Sequence, residues 1–262
     1  ERQLPTIMET EFSNISLKAG GLNHFSILLE VNYKDSGDDG YPIIKKKFDS
    51  YYSKLINEHE GYPSKPGAER GVFIELFKQY GYLPITTDSH LGEYLQWAHA
   101  IADQEAINEF YENYKKRCLY LYERDSLFEK FFDMKNKETH ERVVPIIESI
   151  INDSNLEELA VNVVNNDLIK YLPKDIVVEV PALINKKGIK GLKLENYPQT
   201  FGSLLNSQAG TIQMTTQAVL KKSKQNAYQA MLADPIVDNS IIASRVLDKM
   251  LELQKDFLHY LK

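Results

Sequence analysis

The chain has 262 residues, of which 43% are hydrophobic and 26% charged, and its formal net charge is −6 at pH 7. This length and hydrophobic content exclude a disordered chain, and the lack of any lysine or arginine run longer than three residues argues against a nucleic-acid partner. No apolar run reaches the roughly 20 residues that span a bilayer, and the single cysteine excludes an internal disulfide, so we expect a cytoplasmic protein.

The first part of the chain is predicted to form two strands followed by helices. Residues 15–31 form the two strands around the pair Gly20 and Gly21, and a polar, glycine-bearing loop follows at 34–40. Apolar residues at three- and four-residue intervals then predict helices, over 41–57, 67–80, 90–102, 105–132 and 139–151. Pro145 is expected to shorten or kink the last of them.

The hydrophobic pattern changes its period further along the chain. Branched residues predict strands over 159–164 and 176–184, and Pro181 inside the second suits an edge strand or a bulge. Helices are expected again towards the C-terminus, over 202–221, 227–233 and 239–261. The sequence therefore predicts one α+β domain over 1–262, mainly helical with a small, largely antiparallel sheet.

The glycine-containing hairpin carries the first candidate site. Residues 19–25 read Ala-Gly-Gly-Leu-Asn-His-Phe, and glycine lets a ligand approach the backbone closely. The ring of His24 suits a divalent cation or a substrate hydroxyl, and the carboxamide of Asn23 suits a sugar hydroxyl. Taken alone, a histidine is more often a hydrogen-bonded structural residue, and an asparagine after glycines more often belongs to the turn.

A second polar segment, Thr-Asp-Ser-His-Leu-Gly-Glu-Tyr, occupies residues 87–94. Asp88 is a candidate acid or base, although a carboxylate just before a helical run also caps the helix. His90, Tyr94 and Trp97 share one face of the predicted helix, which is normally a packing stripe. Because Glu93 lies beside this stripe, we expect the mouth of a polar pocket here.

The remaining polar residues are weaker candidates. Asn165 lies in the carboxamide-rich stretch 162–167, which is typical of a turn, and Arg70 is typical of a helix surface. Cys118 has no histidine near it in sequence, so we give it no catalytic role. The chain has no GxGxxG, P-loop, GxSxG or HExxH motif. The residues alone thus predict an α+β domain with a polar pocket and do not name a reaction.

Four ordered blocks resemble the C-terminal part of glycoside hydrolase family 4, the NAD- and metal-dependent glycosidases, closest to the α-galactosidase and α-galacturonidase branch. Residues 19–25 are similar to the family's Gly-Ile-Asn-His block, and residues 80–94 to the block that ends in Glu-His-Leu-Ser-Glu-Tyr. Residues 161–181 are similar to its Asn-x-x-Asn, Leu-Pro and Val-Glu-Val-Pro series. Residues 227–235 are similar to its late Ala-Leu-Gln-Ala-Leu-Leu-x-Asp-Pro block.

This resemblance implies roles for individual residues. His24 would be a ligand of a divalent metal, usually manganese, and Asp88 the candidate acid/base. The candidate substrate contacts would be Asn23, Arg70, His90, Glu93 and Asn165, with Arg70 suited to a carboxylate on the sugar.

The family's N-terminal Rossmann domain, which binds NAD, and its cysteine-containing metal segment have no counterpart in this sequence. Cys118 lies too far downstream of His24 to supply the cysteine ligand. The resemblance therefore implies a fragment, an excised C-terminal domain or one half of a split enzyme. The fold would be that of the C-terminal domain shared by these glycosidases and, more distantly, by lactate and malate dehydrogenases.

The reaction that the resemblance implies does not use the usual pair of glycosidase carboxylates. NAD takes hydride from carbon 3 of the glycoside, a base removes the hydrogen on carbon 2, and the leaving group departs by elimination while the metal stabilises the negative charge. Water then adds and the hydride returns. The chain alone is expected to be inactive, to bind metal weakly and to form a homo-oligomer. The alternatives are a binding or assembly module on the same fold and a lactate/malate-type dehydrogenase domain.

Overall fold

A computed structural model describes residues 3–57, 69–123 and 142–262. The helices in these ranges are α1 (Leu4–Met8), α2 (Tyr41–Asn57), α3 (Gly71–Tyr80), α4 (Asp88–Leu91), α5 (Gln104–Glu123), α6 (Val143–Asn152), α7 (Gln199–Lys221), α8 (Lys224–Ala233), α9 (Ser240–Leu253) and α10 (Lys255–Leu258). Two 3-10 turns lie at Phe12–Asn14 and Gln96–Ala100. The strands are β1 (Ile15–Leu22), β2 (Phe25–Tyr33), β3 (Leu156–Val164), β4 (Val177–Asn185) and β5 (Gly188–Gly191).

The strands form one antiparallel sheet in the order β2-β1-β4-β3, with β5 paired to β4. β1 and β2 make a hairpin whose turn consists of Asn23 and His24. β1 reaches β4 through one pair, Gly21 with Glu179, while β4 pairs along most of β3. The predicted fold class, α+β with a small antiparallel sheet, is confirmed.

The core lies where the β1–β2 hairpin packs with α2, α3 and α7. Large side chains from each of these elements are fully buried, among them Phe25, Ile27, Ile44, Leu76 and Phe201. Burying apolar side chains of this size contributes about 1.5–3 kcal/mol each. The hairpin is therefore held firmly up to its turn. Within the described ranges, no helix combines the length and the apolar composition needed to cross a membrane.

The predicted helix over 90–102 is wrong. α4 ends at Leu91, Leu95 is extended with φ −132° and ψ 103°, and a 3-10 turn follows. His90, Tyr94 and Trp97 consequently do not share a helix face, and Trp97 is 44% exposed. Where the helix has ended, the Tyr94 carbonyl accepts a hydrogen bond from Nε2 of Gln208 in α7 at 3.2 Å.

The two prolines that were expected to disturb elements have different outcomes. Pro145 is the third residue of α6, which begins at Val143, and at this position its missing N–H has no acceptor in the helix. Pro181 lies opposite an irregularity in the register between Glu158 and Val161, so the predicted bulge is confirmed, but β4 is an inner strand rather than an edge. Parts of three predicted helices, 67–68, 124–132 and 139–141, lie outside the described residues.

Candidate functional site

The β1–β2 hairpin presents His24 at its turn. Close packing requires glycine at Gly21, because a Cβ there would lie 2.4 Å from the carbonyl oxygen of Phe25 and 2.7 Å from Cα of Ser26. His24 has a φ of 62°, a left-handed conformation that costs a residue with a side chain about 1–3 kcal/mol. Its side chain is exposed. The imidazole therefore projects from the end of the hairpin instead of packing in the core.

The segment that follows α3 runs alongside β2 towards this turn. The amide of Leu28 donates to the carbonyl of Leu83 at 2.8 Å, and the amide of Ile85 donates to the carbonyl of Ser26 at 3.1 Å. These bonds extend the sheet by a short added strand. They explain why two motifs that are far apart in sequence meet in space.

Two hydroxyl groups of this segment then fasten the turn itself. The Thr86 hydroxyl donates to the His24 carbonyl at 2.9 Å, and the Tyr94 hydroxyl donates to the Asn23 carbonyl at 3.1 Å. The Tyr94 ring stacks on Phe25 with 4.9 Å between ring centroids. The backbone of the turn is thus held by side chains of the second motif, which leaves the side chains of Asn23 and His24 exposed.

His24, His90 and Glu93 form a cluster whose nitrogen and oxygen ligand atoms all lie within 4.8 Å of one another. The two imidazole ring centroids are 4.3 Å apart, and Nδ1 of His90 lies 3.9 Å from Oε1 of Glu93. This Nδ1 is buried and has no hydrogen-bond partner among the described residues. An unpartnered buried nitrogen beside a second imidazole and a carboxylate is a donor set suited to a divalent metal ion.

Glu179 of β4 adds a carboxylate to the same place. It is only 9% exposed, and its Oε1 lies 3.1 Å from the Ser26 hydroxyl oxygen. Burial raises the pKa of Glu179, while the Ser26 hydroxyl and the charge of His24 act in the opposite direction. Burial also raises the pKa of Tyr94, assisted by the negative charges of Glu93 and Glu179. Glu179 contacts Ser26 and Tyr94 contacts Asn23, each within two residues of His24, so both side chains lie beside the hairpin turn.

Asp88 has a different position from the one predicted for an acid/base. It is fully buried, and its carboxylate accepts hydrogen bonds from the amides of Val72 (3.0 Å), Phe73 (3.1 Å) and Asp103 (3.1 Å). The first two amides belong to the first turn of α3, whose N–H groups have no acceptor within the helix. Asp88 thus caps a helix, as the alternative reading allowed, but the helix is α3 and not the one that follows it. We correct its role to a structural one.

Asn165 is likewise corrected from a pocket residue to a turn residue. It is fully buried, its Nδ2 donates to the carbonyls of Ile169, Leu172 and Pro173, and its Oδ1 accepts from the amide of Ile169. Every one of these partners belongs to its own loop. The carboxamide therefore organises the connection between β3 and β4 and does not face His24.

Arg70 lies at the start of α3. Its Nη1 donates to the Glu69 carbonyl at 3.0 Å, and its guanidinium carbon lies 5.4 Å from the centroid of the Phe73 ring. These contacts do not bring it to the cluster. A cavity of about 230 Å³ opens beside β2 near Asn32 and Lys45, and it too has none of the predicted site residues in its lining.

The sequence of this chain matches a known protein family. A family model described as the family 4 glycosyl hydrolase C-terminal domain matches residues 19–237. The chain belongs to this family. The resemblance to family 4 inferred from the four sequence blocks is thereby confirmed at the level of the family, and the matched range includes both motifs that meet at the cluster.

Curated relatives in family 4 include an α-glucosidase of Erwinia rhapontici, which is 36% identical over 100% of this chain and 61% of its own length. An α-galactosidase of Bacillus subtilis is 30% identical over 86% of this chain and 50% of its own length. A solved 6-phospho-α-glucosidase from gut microorganisms, in complex with NAD and Mn²⁺, has a TM-score of 0.71 at 20% identity and covers 97% of this chain and 58% of its own. The chain thus spans about half to three fifths of these relatives.

Glu179 is the residue at the site that we did not predict. Its signal in the sequence is a carboxylate between two valines, Val178 and Val180, both of which are fully buried. A charged residue rarely occupies such a position unless it is paired or functional. The sequence does not reveal which strand pairs beside it, and without that pairing its approach to His24 is not visible.

The raised pKa of Glu179 predicts a pH-dependent effect of Glu179→Gln on stability. Because its pKa is higher in the folded than in the unfolded chain, the acid contributes stability below its ordinary value of 4.5, and this contribution is lost as the pH rises through the folded pKa. Glu179→Gln is therefore expected to unfold at a higher denaturant midpoint than wild type at pH 7. The two midpoints should converge below pH 4.5. A pH-independent difference between them would contradict this account.

Proposed function

We propose that the chain is the C-terminal part of an NAD- and divalent-metal-dependent α-glycosidase that acts by oxidation at carbon 3, deprotonation at carbon 2 and elimination. The convergence of His24, His90 and Glu93 within 4.8 Å carries the proposal. Membership of family 4 and the α-glucosidase and α-galactosidase relatives support an α-glycoside as substrate. The solved relative that holds NAD and Mn²⁺ supports these two cofactors.

The cluster fits a divalent metal by the chemistry of its donors. His24 would be the principal ligand, with His90 and Glu93 contributing a second imidazole and a carboxylate. The buried Nδ1 of His90 would gain a partner that none of the described residues provides. When bound, the metal supplies Lewis-acid stabilisation of negative charge and NAD accepts hydride.

The residues around the cluster would bind and orient the sugar. The exposed carboxamide of Asn23 lies next to His24 and is suited to donate to a sugar hydroxyl. Burial raises the pKa of Tyr94, whose hydroxyl donates to the carbonyl of Asn23, the residue before His24. Tyr94 replaces Asp88 as the acid/base candidate, since the Asp88 carboxylate is occupied by backbone amides.

A binding or assembly module without chemistry is the second candidate function. The observation in its favour is that two of the predicted site residues, Asp88 and Asn165, have structural roles. The observation against it is the convergence of His24, His90 and Glu93, a donor set that could hold a metal ion. Activity of the full-length protein distinguishes the two.

We expect the chain on its own to show no glycosidase activity, because it contains no nucleotide-binding GxGxxG motif. The measurement is hydrolysis of nitrophenyl α-glucoside and α-galactoside with NAD, Mn²⁺ and a thiol reductant. The full-length protein should hydrolyse at least one of them, and chelation should abolish its activity. Turnover by the chain alone would contradict the fragment assignment. A full-length protein that binds sugar without turnover would favour the module.

We also propose a cytoplasmic homo-oligomer. α9 and α10 expose Ile241, Ile242, Leu253 and Phe257, which are 56–75% accessible. An exposed apolar stripe of this kind is typical of a protein interface.

A further inference from the structure

Glu179 lies in a row of residues that crosses the sheet beneath the turn. Gly21 pairs with Ser26 on β2 and with Glu179 on β4, and Glu179 pairs in turn with Asn162 on β3. The glycine has no side chain, so the Ser26 hydroxyl spans the gap above it and lies 3.1 Å from Oε1 of Glu179. A Cβ on Gly21 would lie 3.0 Å from that hydroxyl oxygen. The contact therefore depends on glycine at this point.

The Ser26 hydroxyl also joins the two ends of the turn. It lies 2.7 Å from the carbonyl oxygen of Leu22, at the end of β1, while Ser26 itself belongs to β2. The same oxygen atom thus contacts Leu22 on one side and Glu179 on the other. Through it, the inner strand β4 is tied to both ends of the turn that carries His24.

The turn needs such support because His24 has a left-handed backbone. A strained conformation persists only where the surrounding structure determines it fully. Thr86 and Tyr94 hold the carbonyls of the turn from outside, and Ser26 with Glu179 holds its base from the sheet. The Glu179 carboxylate lies beside the turn, because Ser26, whose hydroxyl it contacts, is two residues after His24.

We propose that Glu179 is a positioning residue for His24: through Ser26 it fixes the turn, and through its charge it orients the imidazole so that one ring nitrogen faces a divalent cation. Histidines that bind metals are generally oriented by an acceptor such as a carboxylate near the other ring nitrogen. The inference rests on the proposed function above, in which His24 is a metal ligand. In this account, the buried carboxylate of Glu179 in β4 serves to position His24.

The test compares three variants of the 262-residue chain: Glu179→Gln, Ser26→Ala and a control, Glu30→Gln. Glu179→Gln keeps an oxygen that can accept from Ser26 but removes the charge, whereas Ser26→Ala keeps the charge and removes the contact. Glu30 is a carboxylate of β2 that is paired with Lys18, away from the turn. The readouts are the Mn²⁺ dissociation constant from titration calorimetry and the imidazole ¹⁵N shifts without metal, at about pH 8, where histidine is neutral.

We expect Glu179→Gln to weaken Mn²⁺ binding by about 10-fold or more and to change the ratio of the two imidazole tautomers of His24. Ser26→Ala should change the Mn²⁺ dissociation constant and the tautomer ratio in the same direction as Glu179→Gln does. Glu30→Gln should change neither quantity. An unchanged tautomer ratio in Glu179→Gln would overturn the inference, even if the melting temperature shifts. Wild-type chain that binds no Mn²⁺ through His24 would instead count against the proposed function, while the metal-free tautomer ratio would still decide the role of Glu179.

Discussion

Asp88→Ala is expected to lower the free energy of unfolding by about 3–5 kcal/mol. The substitution leaves the buried amides of Val72 and Phe73 and the half-buried amide of Asp103 without an acceptor, and each unsatisfied buried group costs about 1–3 kcal/mol. The start of α3 would also separate from the segment that carries His90, since Asp88 lies between them. Chemical denaturation monitored by far-UV circular dichroism measures the loss.

The control for this substitution is Asp238→Ala. Asp238 is exposed, and a surface substitution of this kind usually changes stability by less than about 0.5 kcal/mol. Asp88→Asn distinguishes the structural role from a catalytic one, because it keeps only one acceptor oxygen for the three amides. We expect this variant to be destabilised as well. A stable Asp88→Asn variant that loses only turnover in the full-length protein would restore Asp88 as the acid/base.

His24→Ala is expected to weaken Mn²⁺ binding by about 100-fold or more. Loss of a partner that only orients a ligand already costs about 10–100-fold in affinity, and loss of a ligand itself should cost at least as much. His90→Ala should weaken binding in the same direction, because its Nδ1 belongs to the same donor set. Titration calorimetry of the chain gives both dissociation constants, and the full-length protein with His24→Ala should have no measurable turnover.

The control for the metal site is His259→Ala. His259 is exposed near the C-terminus, where Nδ1 contacts the Asp256 carbonyl, and it is outside the cluster. Equal affinities of wild type, His24→Ala and His259→Ala for Mn²⁺ would contradict the assignment of His24. The unfolding midpoints of both variants should stay close to that of wild type, because both imidazoles are exposed.

The sequence indicates the hairpin and the segment at 87–94 because their signals are local. The glycine pair between two alternating runs predicts the turn that carries His24, and four ordered blocks identify the family. The meeting of His24 with His90 also follows once β2 and the segment at 83–85 are known to pair. These predictions depend on short stretches of chain whose chemistry is visible in the residues themselves.

The roles of Asp88, Asn165 and Glu179 depend instead on partners that the sequence does not name. The sequence does not distinguish a carboxylate that caps the helix following it from one that caps a distant helix. Asp88 caps a distant helix, since it accepts from the amide of Val72, sixteen residues before it. The side-chain amide of Asn165 donates hydrogen bonds to carbonyls that lie up to eight residues further along the chain. Glu179 reaches Ser26 across 153 residues, through a strand order that local patterns do not fix. A polar side chain whose hydrogen-bonding atoms are occupied by backbone amides or carbonyls is not available to bind substrate or metal.

The most direct test of the metal site is paramagnetic broadening of the histidine ring signals when Mn²⁺ is added to the chain in substoichiometric amounts. The two clustered imidazoles should lose intensity first and together, while His99 and His259, which lie outside the cluster, stay sharp. Uniform broadening of the rings of His24, His90, His99 and His259, or early loss at His99 or His259, would show that manganese does not bind at the hairpin turn.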